Sequence, residues 1–175
     1  MSARDFSKVS PVLWRSARFM SLDDVAKVHF LYFITNAHVN SSGVYHLPDG
    51  YACADLRCDL EQYRRNRAIL IDAKMIDWDE ECSLILVERW FKHNGPMSED
   101  HATGTMRFLN TIESDRLREK AVEAFHEANE RRREKAAEKR ADQERKAAER
   151  TKITASMVGV TSNLMKTRMM GGERA

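Results

Sequence analysis

Between Val25 and Ile34 the chain reads "VAKVHFLYFI", apolar or aromatic around nearly the whole helical turn. That pattern predicts a helix buried on more than one side. Ser21, with Asp24 three residues on, predicts its start as an acidic variant of the capping box. The Asn, Ser and Gly residues of "TNAHVNSSG" mark a loop, and "GVYHLP" alternates as a short strand ended by Pro48. Asp49 is placed to cap a second short helix over "GYACADLRC". Asp59, with Gln62 three residues later, opens a third helix to about Lys74. Its apolar positions are Leu60, Tyr63, Leu70 and Ile71, with Arg67 filling the helical step between Tyr63 and Leu70. "MIDW", the acidic turn "DEEC" and "SLILVERWF" then read as strand, hairpin and strand.

The order helix, strand, helix, helix, hairpin is that of a winged helix-turn-helix. Cys58–Asp59 falls at its turn and Asp79–Cys82 at the tip of its wing. Beyond the loop "KHNGPMSED", Ser98 caps a helix in which Met106, Leu109 and Ile112 share a face. From Ser114 to Arg150 the sequence favours helix throughout, and Leu117, Ala121, Phe125 and Ala128 form one stripe. About 36 residues of helix would extend roughly 54 Å, so the distal half is expected to project into solvent. Pairs such as Glu127/Arg131 and Asp142/Lys146 support it at i,i+4. No Leu or Ile seam marks a tight coiled coil, and self-association is the alternative to a lone charged helix. The expected organisation is a flexible N-terminus over 1–8 and a winged-helix domain with its supporting helix over 9–112. A projecting charged helix over 113–150 and a disordered or partner-folded tail over 151–175 follow. The fold class is mainly α, with a small β-hairpin wing.

Charge changes the picture only at the C-terminal end. Of the 29 Lys and Arg and 27 Asp and Glu in 175 residues, the excess of base lies beyond residue 150, and residues 1–110 are slightly acidic. The composition does not advertise a basic globular domain. Three cysteines, Cys53, Cys58 and Cys82, fit neither a disulfide framework nor a zinc pattern and read as reduced, packed thiols. The six histidines show no metal-ligand spacing, and no phosphate-cradling glycine loop is present. His29 reads as a hydrogen-bonded core histidine. No catalytic residues, metal or cofactor are expected, nor a signal peptide or membrane span; the expected location is cytoplasmic.

Recognition is the remaining class of function. With Tyr63, Arg67, Leu70 and Ile71 facing a core, Glu61, Arg64, Arg65, Ala68 and Asp72 point away. Gln62, Arg64 and Arg65 then occupy the part of a recognition helix that touches base edges, and Arg67, Arg57, Arg89 and Lys92 are phosphate candidates, with Arg67 laying its stem on the core and reaching either a carboxylate or a phosphate. The competing reading pairs Arg64 and Arg65 with Glu61 and Asp72 on a solvated face. The acidic wing tip, Asp79-Glu80-Glu81, favours it by carrying the wrong sign for phosphates.

Tyr32, Thr35-Asn36, His38, Asn40, Gly43-Val44-Tyr45, Leu47-Pro48 and Trp90-Phe91-Lys92-His93-Asn94 together carry a resemblance. Over about residues 9–112 the chain resembles the N-terminal winged-helix domain of phage replication initiation proteins, replisome organisers that include relatives of the DnaD group. The resemblance implies double-stranded DNA binding at an origin, in the bacterial host cytoplasm, with a C-terminal region that recruits a replicative helicase or its loader. A long charged helix stands here in place of that family's second compact domain. A winged-helix transcriptional regulator and a structural adaptor built on protein contacts are the other two readings, and homo-oligomer formation is compatible with each.

Overall fold

The computed structural model describes residues 7–170, with side chains through residue 150. It is a mainly helical chain with a small three-stranded antiparallel sheet and a long C-terminal helix. The chain divides into two compact units, Met1–Arg132 and Arg133–Ala175.

The first unit opens with a 3-10 turn at Pro11–Arg15 and the short helix α1 (Ala17–Met20), neither of which the apolar pattern announces. Helix α2 (Asp24–Thr35) buries Ala26, His29, Phe30 and Phe33. Its N-cap is Asp23, which accepts the Ala26 amide at 2.7 Å. The sequence alone assigns that role to Ser21. Ser21 instead ends α1, and its hydroxyl turns back to the Arg18 carbonyl. Strand β1 (Val44–His46) follows, then α3 (Asp49–Leu56) and α4 (Leu60–Asp72). Asp59 caps α4 through the Gln62 amide at 2.7 Å, as the sequence predicts. Asp49 is the first residue of α3 and makes no cap, because arginines of α4 claim its carboxylate.

β2 (Ile76–Asp79) and β3 (Leu84–Val87) form the hairpin, and β3 is the central strand, between β1 and β2. All four residues of β3 are buried. The expected continuation of this strand through "ERWF" does not occur. Arg89 takes a left-handed φ of 57°, which breaks the strand and starts the one-turn helix α5 (Trp90–His93). Helix α6 (Glu99–Asn110) starts at Ser98, whose hydroxyl accepts the His101 amide at 3.1 Å. Helix α7 (Asp115–Met170) then begins at Ser114.

One core joins these elements. Leu117, Ala121 and Phe125 of α7 belong to it together with Leu109, Ile112 and the residues of α2, α4 and the sheet. Phe91 meets Phe125 edge to face at 5.4 Å. The packed unit thus extends past residue 112 to Arg132. His29 lies inside, its Nδ1 2.8 Å from the Val25 carbonyl, as expected of a core histidine. The three cysteines are free thiols, each half-buried.

In the second unit the Asp142/Lys146 pair forms at 2.7 Å; the Glu127/Arg131 pair, in the first unit, forms at 3.3 Å. The backbone remains helical over residues 151–170, where the sequence favours disorder or folding on a partner; 171–175 and 1–6 lie outside the described residues. No helix among the described residues is long and apolar enough to cross a membrane.

Candidate nucleic-acid interface

The outward side of α4 is as its periodicity predicts, while Leu60, expected among its apolar positions, is 45% exposed. Tyr63, Asn66, Arg67 and Leu70 are buried, while Glu61, Gln62, Arg64, Arg65, Ala68 and Asp72 are exposed. Asn66 belongs to the inner set for a local reason: its amide donates to the Gln62 carbonyl at 2.9 Å within the helix.

Both outward arginines meet carboxylates. Arg64 donates from Nε to Asp49 at 2.8 Å, and this bond holds its guanidinium above the ordinary pKa. Arg65 donates to Glu61 at 2.9 Å, one helical turn back. Neither side chain is withdrawn from solvent: Arg64 is 53% and Arg65 65% exposed. Gln62 is exposed as well, with its side chain outside these pairs. The solvated-face reading is therefore correct about Glu61, while Asp49 of α3 stands where it named Asp72.

Arg67 is a correction to the set of phosphate candidates. It is 5% exposed and lies in the core side of α4. Its guanidinium sits 4.0 Å over the Trp78 ring and donates to Asp49 at 2.5 Å and to Glu80 at 3.3 Å. Glu80 also accepts the Trp78 indole N–H at 2.6 Å. The side chain bolts α4 to α3 and to the hairpin, and a phosphate cannot reach it without dismantling that junction.

The remaining candidates separate. Arg57 is exposed at the end of α3, where it adopts a left-handed φ of 51° and closes that helix. Arg89 and Lys92 lie together elsewhere, in a groove that also includes Met75, just past the C-terminal end of α4. From Arg64 to Met75 the helix and its exit advance about 16 Å. The seven candidates thus form one outward patch (Gln62, Arg64, Arg65), one isolated cation, one buried bolt and a distant pair.

The hairpin is engaged by α7. Ser114 donates to Asp79 at 2.5 Å, and Arg116 reaches both Asp77 carboxylate oxygens at 2.8 Å and the Trp78 carbonyl at 2.9 Å. Lys120 joins Asp77 at 2.9 Å and also pairs with Glu88. Burial would raise the Asp77 pKa, but Arg116 and Lys120 outweigh it and hold the carboxyl below its ordinary value. Asp79 is lowered too, chiefly by the Ser114 hydroxyl. Cations therefore answer Asp77 and Glu80, while Asp79 is held by a neutral hydroxyl and Glu81 stays exposed, so the tip is tied in place and keeps a negative sign.

Among the described residues no three His, Cys, Asp or Glu side chains gather as a metal site would require. Compared with protein-family models, curated proteins and solved structures, the chain finds no match.

Proposed function

We propose that this chain is a non-enzymatic winged-helix protein that binds double-stranded DNA through α4. The observation that carries the reading is the chain order α2, β1, α3, α4, β2, β3, closed by the β1-β3-β2 sheet, with Gln62, Arg64 and Arg65 outward on the third of those helices. In this arrangement α4 is the helix that enters the major groove, where Gln can address adenine and Arg guanine. Exposed Ala68 leaves the flank of the helix thin.

The ion pairs of Arg64 and Arg65 do not bar such a role. Arg65 and Glu61 are both exposed, and pairs of that kind exchange readily for a phosphate or a base edge. Asp49 keeps its bond to Arg67 when Arg64 leaves, so the departure strands no carboxylate. Arg57, three residues before α4 opens, is the candidate for a backbone contact beside that patch. The motif resemblance supports placing this activity in phage or prophage replication initiation, with the C-terminal region as the recruiter of a helicase or loader.

A second reading has its own support. The segment from Asp49 to Arg65 carries four acids against three bases, and the hairpin tip is held by α7. Both features suit an adaptor that uses the winged helix for protein contacts. Gel-shift titration with random duplexes separates the two. A binder making about four phosphate contacts loses at least about tenfold in affinity between about 50 and 200 mM salt. Replacing Arg64 and Arg65 together by Ala should abolish site preference; duplex affinity and preference that both survive the change would overturn the assignment of α4.

A further inference from the structure

A second cationic region lies apart from the outward side of α4. One of its walls is the segment from Lys8 to Arg18, fixed where Arg18 donates to the Lys74 carbonyl at 2.5 Å. The other runs from Val87 to Asn94, where the left-handed Arg89 turns the chain out of β3. Between them is a groove of about 490 Å³, a size typical of ligand clefts. Its base is apolar: Phe30, Met75, Val87 and Trp90 line it and are buried beneath it. Val12, on the rim, is 60% exposed.

The charge lining this groove is one-sided. Lys8, Arg15, Arg18, Arg89 and Lys92 contribute to it, against Glu88 alone. Glu88 is already paired with Lys120. Among the described residues the side chains of Lys8, Arg15, Arg89 and Lys92 meet no carboxylate or other acceptor. The crowding is felt by its neighbours. Burial, and then the charges of Lys92 and Arg89, depress the His93 pKa, while burial and Arg89 depress that of Arg18. A cluster of like charges around an apolar trough is unfavourable in the free chain and is relieved by a ligand that carries both apolar bulk and negative charge.

We propose that this groove docks an acidic segment of a partner protein, a short stretch in which one or two apolar side chains are flanked by Asp or Glu. A nucleic-acid backbone would answer the cations but leave Val12 and the trough unfilled. The trough accommodates a few side chains, and the cations on both walls are placed to meet carboxylates on either side of them. The inference stands independently of α4.

Fluorescence anisotropy of the full chain with labelled, end-blocked peptides tests it. The set comprises Asp/Glu peptides with a central Leu, Phe or Trp pair, the same peptides with Ala at the centre, and charge-reversed Lys peptides. At least one acidic apolar peptide should bind, more tightly than its Ala counterpart, and the Lys peptides should not. Arg15→Glu with Lys92→Glu, both at exposed positions, should weaken binding about tenfold, the product of two partly exposed ion pairs. Val12→Asp should weaken it as well, with the circular dichroism of each variant unchanged. The proposal is overturned if no acidic peptide binds, if the Lys peptides bind equally, or if the charge reversal leaves affinity unaltered. It is overturned too if a random duplex displaces the peptide and itself loses affinity for the reversed variant, which would make the groove a nucleic-acid site.

Discussion

Gly43 lies directly beneath the indole of Trp90: a β-carbon at Gly43 would fall 2.3 Å from Trp90 Cγ. The glycine also holds a φ of 71°, in the left-handed region. Trp90 completes the contact by donating from Nε1 to the Ser41 carbonyl at 3.0 Å. Residues far apart in sequence thereby fasten the loop before β1 to the helix after β3. Gly43→Ala combines backbone strain with a steric clash against a buried ring that has no room to retreat. A loss of about 2–4 kcal/mol is expected, read as a lower urea midpoint. A midpoint within error of the wild type would show that the Gly43–Trp90 contact is looser than described.

Arg67 gives a second prediction. Its guanidinium is stacked on Trp78 and bonded to Asp49 and Glu80. Arg67→Ala leaves Asp49 with only the exposed Arg64 and removes the packing on Trp78, for a loss of about 2–4 kcal/mol. Arg67→Lys should recover little of it, because an ammonium can neither stack flat on the indole nor divide its bonds between two carboxylates in fixed directions. Equal stability of the Lys variant and wild type would reduce Arg67 to a generic charge.

Acid should loosen the hairpin from α7. Asp77 and Asp79 have folded pKa values below their ordinary range. Their contribution is therefore present above the unfolded value near 4 and disappears as pH falls through the lower folded value. Stability measured from about pH 5 down to about pH 2 should fall less steeply in Asp77→Asn than in the wild type. Parallel slopes would show that Arg116 and Lys120 contribute nothing through this carboxylate.

Much of this arrangement is legible in the sequence, and the failures have local causes. The period of α4 gives its outward residues correctly because Tyr63 and Leu70 fix the buried side, and the Asp59 and Ser98 caps are short-range features. The start of α2 is displaced because Asp23 takes the Ala26 amide while Ser21 closes the short helix α1, which the apolar pattern does not announce. The strand through "ERWF" fails at Arg89, whose left-handed backbone no apolar pattern announces. The motif residues behind the family resemblance prove to be joinery. Asn36 bonds the Tyr45 hydroxyl at 2.8 Å, Tyr45 donates to the Phe33 carbonyl at 2.6 Å, and Asn40 bonds the Val44 carbonyl at 2.9 Å. The first two contacts join α2 to β1, and the third closes the loop between them. The cationic groove is not legible in the sequence because its walls, Lys8–Arg18 and Val87–Asn94, lie some seventy residues apart, and nothing local pairs Arg89 and Lys92 with Lys8 or Arg15.

The last prediction concerns how far the folded unit reaches along α7. Leu117, Ala121 and Phe125 are buried at the spacing of one helical stripe, and Phe125 packs on Phe91. Beyond residue 132 nearly every described side chain is exposed. Phe125→Ala removes a buried ring and should destabilise the unit by about 3–5 kcal/mol. Ala137→Gly, at an exposed position, should weaken the helix locally by about 1 kcal/mol and leave the cooperative transition where it was. Urea unfolding followed by tryptophan fluorescence distinguishes the two, since Trp78 and Trp90 both lie in the first unit. If Ala137→Gly shifted the midpoint as much as Phe125→Ala, the distal helix would be part of the same cooperative structure. If Phe125→Ala left the midpoint unmoved, the first turns of α7 would be an ornament on a domain that ends before them.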